Sequence, residues 1–292
     1  MNCVNQFVHA RVDGHLYPRL LKWSSETCAL RPGTQTRVIG GVRCLYATPT
    51  GTRPPRGATL YLHGNAMTLR TLWDTGLINR VAEATQTVVY APDYVGYGLD
   101  VNDTGASGLW GDKLDRAQGA RVRRVLSCLP HERVTVMGRS LGASLATAAV
   151  SGTSAYDSKV RGLILISPFR SLCDMVPPML MWSDALVRYF VQGRLDNAVA
   201  LQRVNAALPV QVIAGTDDSL VPSAQSKSLY LCRKDVQSRD TAGFHLVPGM
   251  THSNMLGIRT FPSVLKLAHD SCIRNTDPPA SVFAIASSDS DE

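Results

Sequence analysis

Three residue types at three points of the chain could together carry out nucleophilic acyl transfer. Ser140 stands at the centre of Gly138-Arg-Ser-Leu-Gly142, a G-x-S-x-G pattern. Its small flanking residues suit a tight, strained turn that lifts the serine clear of the backbone. A serine hydroxyl is a weak nucleophile near neutral pH, so it needs a base, and the base needs a carboxylate to orient it. The base candidate is His252 in Pro248-Gly-Met-Thr-His252, and the acid candidates are Asp217 and Asp218 in Gly215-Thr-Asp-Asp-Ser-Leu-Val-Pro222.

Such groups work only if a rigid frame brings them together. Six short apolar runs read as buried strands: 58–62, 87–91, 133–137, 162–166, 210–214 and 244–247. Near-continuous β-branched runs are what a parallel sheet covered on both faces requires. A leading hairpin fits Val38 to Ala47 around Gly40-Gly41, and helices fit 69–84, 111–129, 141–150 and 223–232. Strands alternating with helices predict an α/β architecture. Ser140, the Asp pair and His252 each fall just after a strand, in the order Ser, Asp, His. The carboxyl edge of an open parallel sheet is where ligands bind.

Segment 170–208 is longer than a simple crossover needs and holds Met175, Met179, Met181, Trp182, Tyr189 and Phe190. Two readings stand: a crossover helix plus a surface helix, or a small cap over an apolar cleft, with Met181 and Trp182 contacting substrate.

Together these motifs resemble those of the α/β-hydrolase fold serine hydrolases, most nearly the Bem46-like and ABHD13/ABHD17-like branch. The resemblance is carried by Leu62-His-Gly-Asn-Ala66, Asp93-Tyr-Val-Gly-Tyr-Gly98, Gly138-Arg-Ser-Leu-Gly-Ala143, Ser167-Pro-Phe169, Gly215-Thr-Asp-Asp218 and Gly249-Met-Thr-His252. It implies the α/β-hydrolase fold: a mostly parallel central sheet, helices on both faces and a small cap insertion after the sixth strand. It implies Ser140 as nucleophile and His252 as base. The family spacing Gly-x-x-Asp-x-x-Val-Pro picks Asp218 as the acid, with Asp217 as the alternative. It further implies an oxyanion hole from the backbone N–H groups of Asn65 and Leu141, and leaves Tyr94 a candidate substrate contact. His63, just before the glycine turn, reads as a structural histidine. The ABHD17-like relatives, which suggest a protein thioesterase, carry a Cys-rich N-terminus; here Cys3 alone lies near the start, a weak candidate acylation site.

Composition narrows the rest. The 292 residues are 45% hydrophobic and 18% charged, an ordinary globular balance that excludes a mainly disordered chain. No run of about 18 apolar residues is free of charge, and no basic stretch followed by an apolar run marks a secretory signal. The expectation is a cytoplasmic protein, with peripheral membrane contact as the variant that a basic body allows. The formal charge is +7; residues 277–292 hold four acids and no base, leaving the remainder at +11. The densest basic run, Arg121, Arg123 and Arg124, reads as a solvated helix face rather than a nucleic-acid site, for no aromatics interleave it. The seven cysteines are odd in number and widely spaced, which argues for reduced thiols rather than a disulfide framework or zinc site. No phosphate-binding glycine loop is present, so no nucleotide cofactor is expected, and His9, His15, His131 and His269 lack partners at metal-ligand spacing, so no metal is expected.

The boundaries expected are an N-terminal extension over 1–35, a hydrolase domain over 36–270 with the cap at 170–208, and a disordered acidic tail over 271–292. The activity expected is cleavage of a carboxylic ester or thioester through an acyl-serine, on a small-molecule, lipid or S-acylated protein substrate. An aminopeptidase-like hydrolase and a non-catalytic binding protein on the same fold are the alternatives.

Overall fold

The structure is a computed structural model that describes residues 30–65, 67–95, 97, 112–152, 158–179, 192–233 and 242–274. Eight strands among them form one sheet: β1 (Thr36–Ile39), β2 (Val42–Ala47), β3 (Ala58–Leu62), β4 (Val88–Pro92), β5 (Val134–Arg139), β6 (Val160–Ile166), β7 (Val210–Gly215) and β8 (Ala242–Val247). Their spatial order is β1-β2-β4-β3-β5-β6-β7-β8. The hairpin β1–β2 joins the sheet antiparallel, and every neighbour pair from β4 to β8 is parallel.

Alternation along each strand sends side chains to two separate cores. Leu60, Leu62, Val134, Val136, Leu163, Leu165, Val210 and Val212 point to one face. There they meet α3 (Asp112–Cys128), α4 (Leu141–Val150), α5 (Leu172–Met179), α6 (Asn197–Gln202) and α7 (Ser223–Leu231). Tyr61, Met137, Ile164, Ile166 and Ile213 point to the other face, against α1 (Leu69–Asp74), α2 (Leu77–Thr85) and α8 (Phe261–Arg274). This is the mostly parallel, two-faced α/β architecture of the α/β-hydrolase fold.

Three local readings change. The single helix expected over 69–84 is two, because the Thr75 hydroxyl caps the Thr71 carbonyl at 2.8 Å and Gly76 turns left-handed at φ 65°. The terminal helix α8 runs four residues past the expected boundary at 270, with Cys272 and Ile273 buried. Arg121 and Arg123 are not simply solvated: Arg121 Nε donates to the Asp93 carbonyl at 2.9 Å and Arg123 to the Ala148 carbonyl at 3.2 Å.

The described parts of 170–208 pack against the sheet-side core rather than standing away from it, with Leu172, Met175, Ala198, Leu201 and Val204 buried. Asn197 Nδ2 donates to Ser144 Oγ at 2.8 Å and to the Phe169 carbonyl at 2.7 Å. The Arg194 guanidinium forks onto Asp115 at 2.8 and 3.0 Å, its side chain 1% exposed. Met181 and Trp182 lie outside the described residues, as do Cys3 and the 277–292 tail.

Candidate active site

Parallel strands β3, β5, β7 and β8 end on one edge of the sheet, and each continues into a turn that holds one part of the site. The turn after β5 is the tightest. Ser140 takes φ 53° and ψ −119°, conformational space that a side chain rarely enters. Its N–H donates to the Ile166 carbonyl at 2.9 Å. A Cβ on Gly138 would lie 2.2 Å from the Gly142 carbonyl oxygen, and one on Gly142 would lie 2.1 Å from that of Leu62. Both glycines of the pattern are therefore steric requirements: the turn folds back so closely that β5, α4 and the end of β3 touch by backbone.

His252 Nε2 lies 3.0 Å from Ser140 Oγ, and His252 Nδ1 lies 2.9 Å from Asp218 Oδ2. This geometry assigns the ring proton to Nδ1, donating to the carboxylate, and leaves Nε2 to accept from the serine hydroxyl. The Asp218 side chain is wholly buried. Its Oδ1 accepts from the N–H groups of Leu220 at 3.1 Å and Val221 at 2.8 Å. Burial alone would raise the carboxyl, but hydrogen bonds from His252, Val221 and Ser167 outweigh it and hold Asp218 below its ordinary value. Asp217 is exposed and accepts from its neighbour, Thr216 Oγ1, at 2.6 Å. Of the two acids, Asp218 is the one that meets the imidazole.

The two loops that bring this pair together are stitched to each other. Thr216 N–H donates to the Val247 carbonyl at 3.1 Å, Asp217 N–H to the Met250 carbonyl at 3.1 Å, and Gly249 N–H to Thr216 Oγ1 at 2.9 Å. A Cβ on Gly215 would stand 2.0 Å from the Met250 oxygen, so this contact tolerates only glycine. Asn254 closes the histidine loop, accepting from Thr251 N–H at 2.7 Å and donating to the Gly249 carbonyl at 3.0 Å.

Leu141 opens α4, so its N–H belongs to the first turn, whose donors lack partners within the helix, and the helix dipole places partial positive charge there. Asn65 follows β3 on the adjoining strand end, in a turn that aromatic side chains pack against. Tyr97 Oη donates to Asn65 Oδ1 at 2.6 Å, and Tyr94 Oη donates to the His63 carbonyl at 2.8 Å. The His63 ring stacks on Tyr94 with centroids 4.0 Å apart, and His63 Nδ1 donates to the Gly64 carbonyl at 2.9 Å. Burial lowers the His63 ring to about 4, so it is neutral near pH 7. It is a structural histidine.

Tyr94, the candidate substrate contact, lies beside the turn after β3. The residue is 2% exposed and its hydroxyl donates to the His63 carbonyl, which props the turn. Tyr97, Ser167 and Arg139 belong to motifs quoted above, but the motifs give them no role of their own. The signal for Tyr97 was the second tyrosine of Asp93-Tyr-Val-Gly-Tyr-Gly98; nothing in the spacing tells that its hydroxyl reaches Asn65, 32 residues away. Among the described residues no cluster of three His, Cys, Asp or Glu side chains could hold a metal, and no helix is long and apolar enough to cross a membrane.

Comparisons with known proteins agree with this fold. Protein bem46 of Schizosaccharomyces pombe is 24% identical over 200 residues, 68% of this chain and 62% of that one. The uncharacterized protein YfhR of Salmonella typhi is 26% identical over 204 residues, 65% of each chain. The match thus spans just under two thirds of the length of these curated relatives. Among solved structures, TT1662 from Thermus thermophilus superposes with a TM-score of 0.58 at 16% identity, covering 86% of this chain and 100% of that one. The propionate-bound thermophilic esterase Est2 of Thermogutta terrifontis gives 0.57 at 17% identity, covering 85% and 97%. These two share the fold. Residues 60–262 match the profile of the Alpha/beta hydrolase family, and with more than half of its length inside that match the chain belongs to this family.

Proposed function

We propose that the protein is a serine hydrolase that cleaves carboxylic esters or thioesters through an acyl-serine intermediate. The observation that carries this reading is the unbroken series Ser140 Oγ, His252 Nε2, His252 Nδ1 and Asp218 Oδ2, at 3.0 and 2.9 Å, beside the first N–H of α4.

Each group has a part in such a reaction. Ser140 Oγ attacks the acyl carbon while its proton passes to His252 Nε2. Negative charge then develops on the former carbonyl oxygen, and the N–H groups of Leu141 and Asn65 receive it; one such donor is worth about 100- to 1000-fold in kcat. Asp218, kept ionised, stabilises the imidazolium and holds its ring in place. The carbon–oxygen or carbon–sulfur bond breaks, and His252 returns the proton to the departing alkoxide or thiolate. Water then attacks the acyl-serine with His252 again taking a proton, the Oγ–carbon bond breaks, and Ser140 recovers its hydrogen.

The substrate class is an acyl ester or thioester, on a small molecule, a lipid or an S-acylated protein. A fluorophosphonate probe tests the reaction: the folded chain is expected to label, and Ser140→Ala is expected not to. A folded wild-type chain that stays unlabelled and inert towards p-nitrophenyl esters would overturn the proposal in favour of a binding protein on a hydrolase fold. A series of esters and thioesters of increasing acyl length then sorts the substrates.

A further inference from the structure

Arg139 occupies the variable position of the G-x-S-x-G turn, one residue before Ser140. It is 8% exposed, and its guanidinium reaches two other loops of the site. Nη2 donates to the backbone carbonyl of His252. Nη1 lies 3.2 Å from Met67 Sδ, two residues beyond Asn65. Nη1 is also 3.1 Å from where a Cβ would stand on Gly64, so the guanidinium packs directly on the turn that precedes Asn65. Among the described residues no carboxylate forms an ion pair with it, and its acceptors there are a carbonyl and a thioether.

A buried cation without a counter-charge costs free energy that a neutral side chain of similar length would not. What a guanidinium offers in return is reach: a planar fork that donates in two directions at once from one rigid group, which a lysine ammonium on its flexible stem does not reproduce. Here the two directions are the loop carrying the base and the turn carrying Asn65. Neither loop pairs with the other as strands do, and both must be placed to a fraction of an ångström. An error of about 1 Å in such a site costs on the order of 100-fold in rate.

We infer that Arg139 is a positioning residue, resting on the hydrolase reading above: it fastens the His252 loop to the Asn65 turn, and so sets Nε2 and the oxyanion donors around Ser140. It does this through hydrogen bonds to the backbone and to Met67, without touching substrate. The side chain that varies in G-x-S-x-G patterns is, in this chain, the strut between the two halves of the site.

The test compares the full chain with Arg139→Met, which keeps length and apolar packing, and Arg139→Lys, which keeps charge but reaches one loop at a time. Labelling by a fluorophosphonate, kcat and KM on a short p-nitrophenyl ester, and the melting temperature are measured for each. The expectation for Arg139→Met is a loss of about 10- to 100-fold in kcat and in labelling rate, with KM within about threefold of the parent. Arg139→Lys is expected to recover part of kcat. Arg139→Met that labels and turns over within about twofold of the parent would overturn the inference. So would losses that follow the melting temperature alone, with KM moving in step and lysine no better than methionine. If Arg139→Met does not fold, Arg139→Lys decides: lowered kcat at unchanged KM supports the inference, and parental kcat overturns it. A folded parent that never labels removes the hydrolase reading and this inference with it; a labelled parent with indifferent Arg139 variants removes the inference alone.

Discussion

Replacing Ser140 by alanine and by glycine separates the chemistry of the turn from its strain. At φ 53° and ψ −119° the backbone at Ser140 sits where a Cβ is unfavourable, a cost of about 1–3 kcal/mol. Ser140→Ala removes the hydroxyl but keeps the Cβ, and therefore keeps the strain. It also removes the contact to His252 Nε2, whose net worth is about 1 kcal/mol; the His252 side chain is 17% exposed, so water replaces part of that. Ser140→Gly removes the Cβ and the strain with it, against about 0.5–1 kcal/mol for the greater freedom of glycine in the unfolded chain. The difference leaves Ser140→Gly more stable than Ser140→Ala by about 1 kcal/mol, and a domain of this size converts that into about 2–4 °C. Thermal melts followed by circular dichroism, on both variants side by side, measure the difference, and p-nitrophenyl ester turnover is expected to vanish in both. A glycine variant melting at or below the alanine variant would refute the argument that the turn is strained. Turnover retained in Ser140→Ala would show that another group is the nucleophile.

Three further outcomes follow from the site. Asp218→Asn is expected to lower kcat by about 1000-fold or more, since the imidazole loses its orienting anion, while Asp217→Asn stays within about threefold; steady-state kinetics giving the reverse ranking would reassign the acid. Tyr97→Phe keeps the ring against His63 and Tyr94 but drops the 2.6 Å bond to Asn65. If that bond, worth about 1 kcal/mol, is felt mainly in the transition state, kcat falls about fivefold with KM unchanged, and an unchanged kcat would show that Asn65 needs no support. Stability depends on pH through His63 and His269, whose rings burial lowers from 6.5 to about 4. The unfolded chain binds protons as pH falls through 6.5 while the folded chain does not until about 4, so stability is full above that window and declines within it, by up to about 3 kcal/mol per ring. Both His269 ring nitrogens are buried without a partner among the described residues, near Arg56, Asp270 and Lys266. His131 and His245, also lowered by burial, add to the same decline; His269→Leu is thus expected to flatten it in part in urea melts between pH 7 and 4.5, and an unaltered slope would refute this account.

The frame was legible because its signals are local. Buried parallel strands write themselves as β-branched runs, and the turns after them as Gly, Asp and His clusters, so Ala58–Leu62, Val134–Arg139 and Val210–Gly215 fall within a residue or two of where the pattern put them. Helix α8 was less legible: its buried residues Phe261, Leu265, Ala268 and Cys272 recur at helical spacing, but Val264 and exposed Leu267 flanking them blur that stripe until a sheet face is there to receive it. Likewise the motif spacing could favour Asp218 over Asp217 but could not show why. The reason is that the stitched β7 and β8 loops bury one carboxylate beneath His252 and leave the other in water.

The sequence by itself determined which residues are chemically able to act, the strand ends that carry them, and the glycines without which the turn at Ser140 would collide with its own backbone. Those are consequences of residue type and of neighbours a few positions apart. Only the tertiary structure decided which hydroxyls, carboxylates and cations meet: that the Tyr94 and Tyr97 hydroxyls reach the turn after β3, that Arg139 spans 113 residues of chain to reach His252, and that Arg121 donates to the Asp93 carbonyl. Hydrogen bonds act over about 3 Å whatever the separation in sequence, and the parallel crossovers that bring such distant residues within that reach leave no mark in the residues themselves.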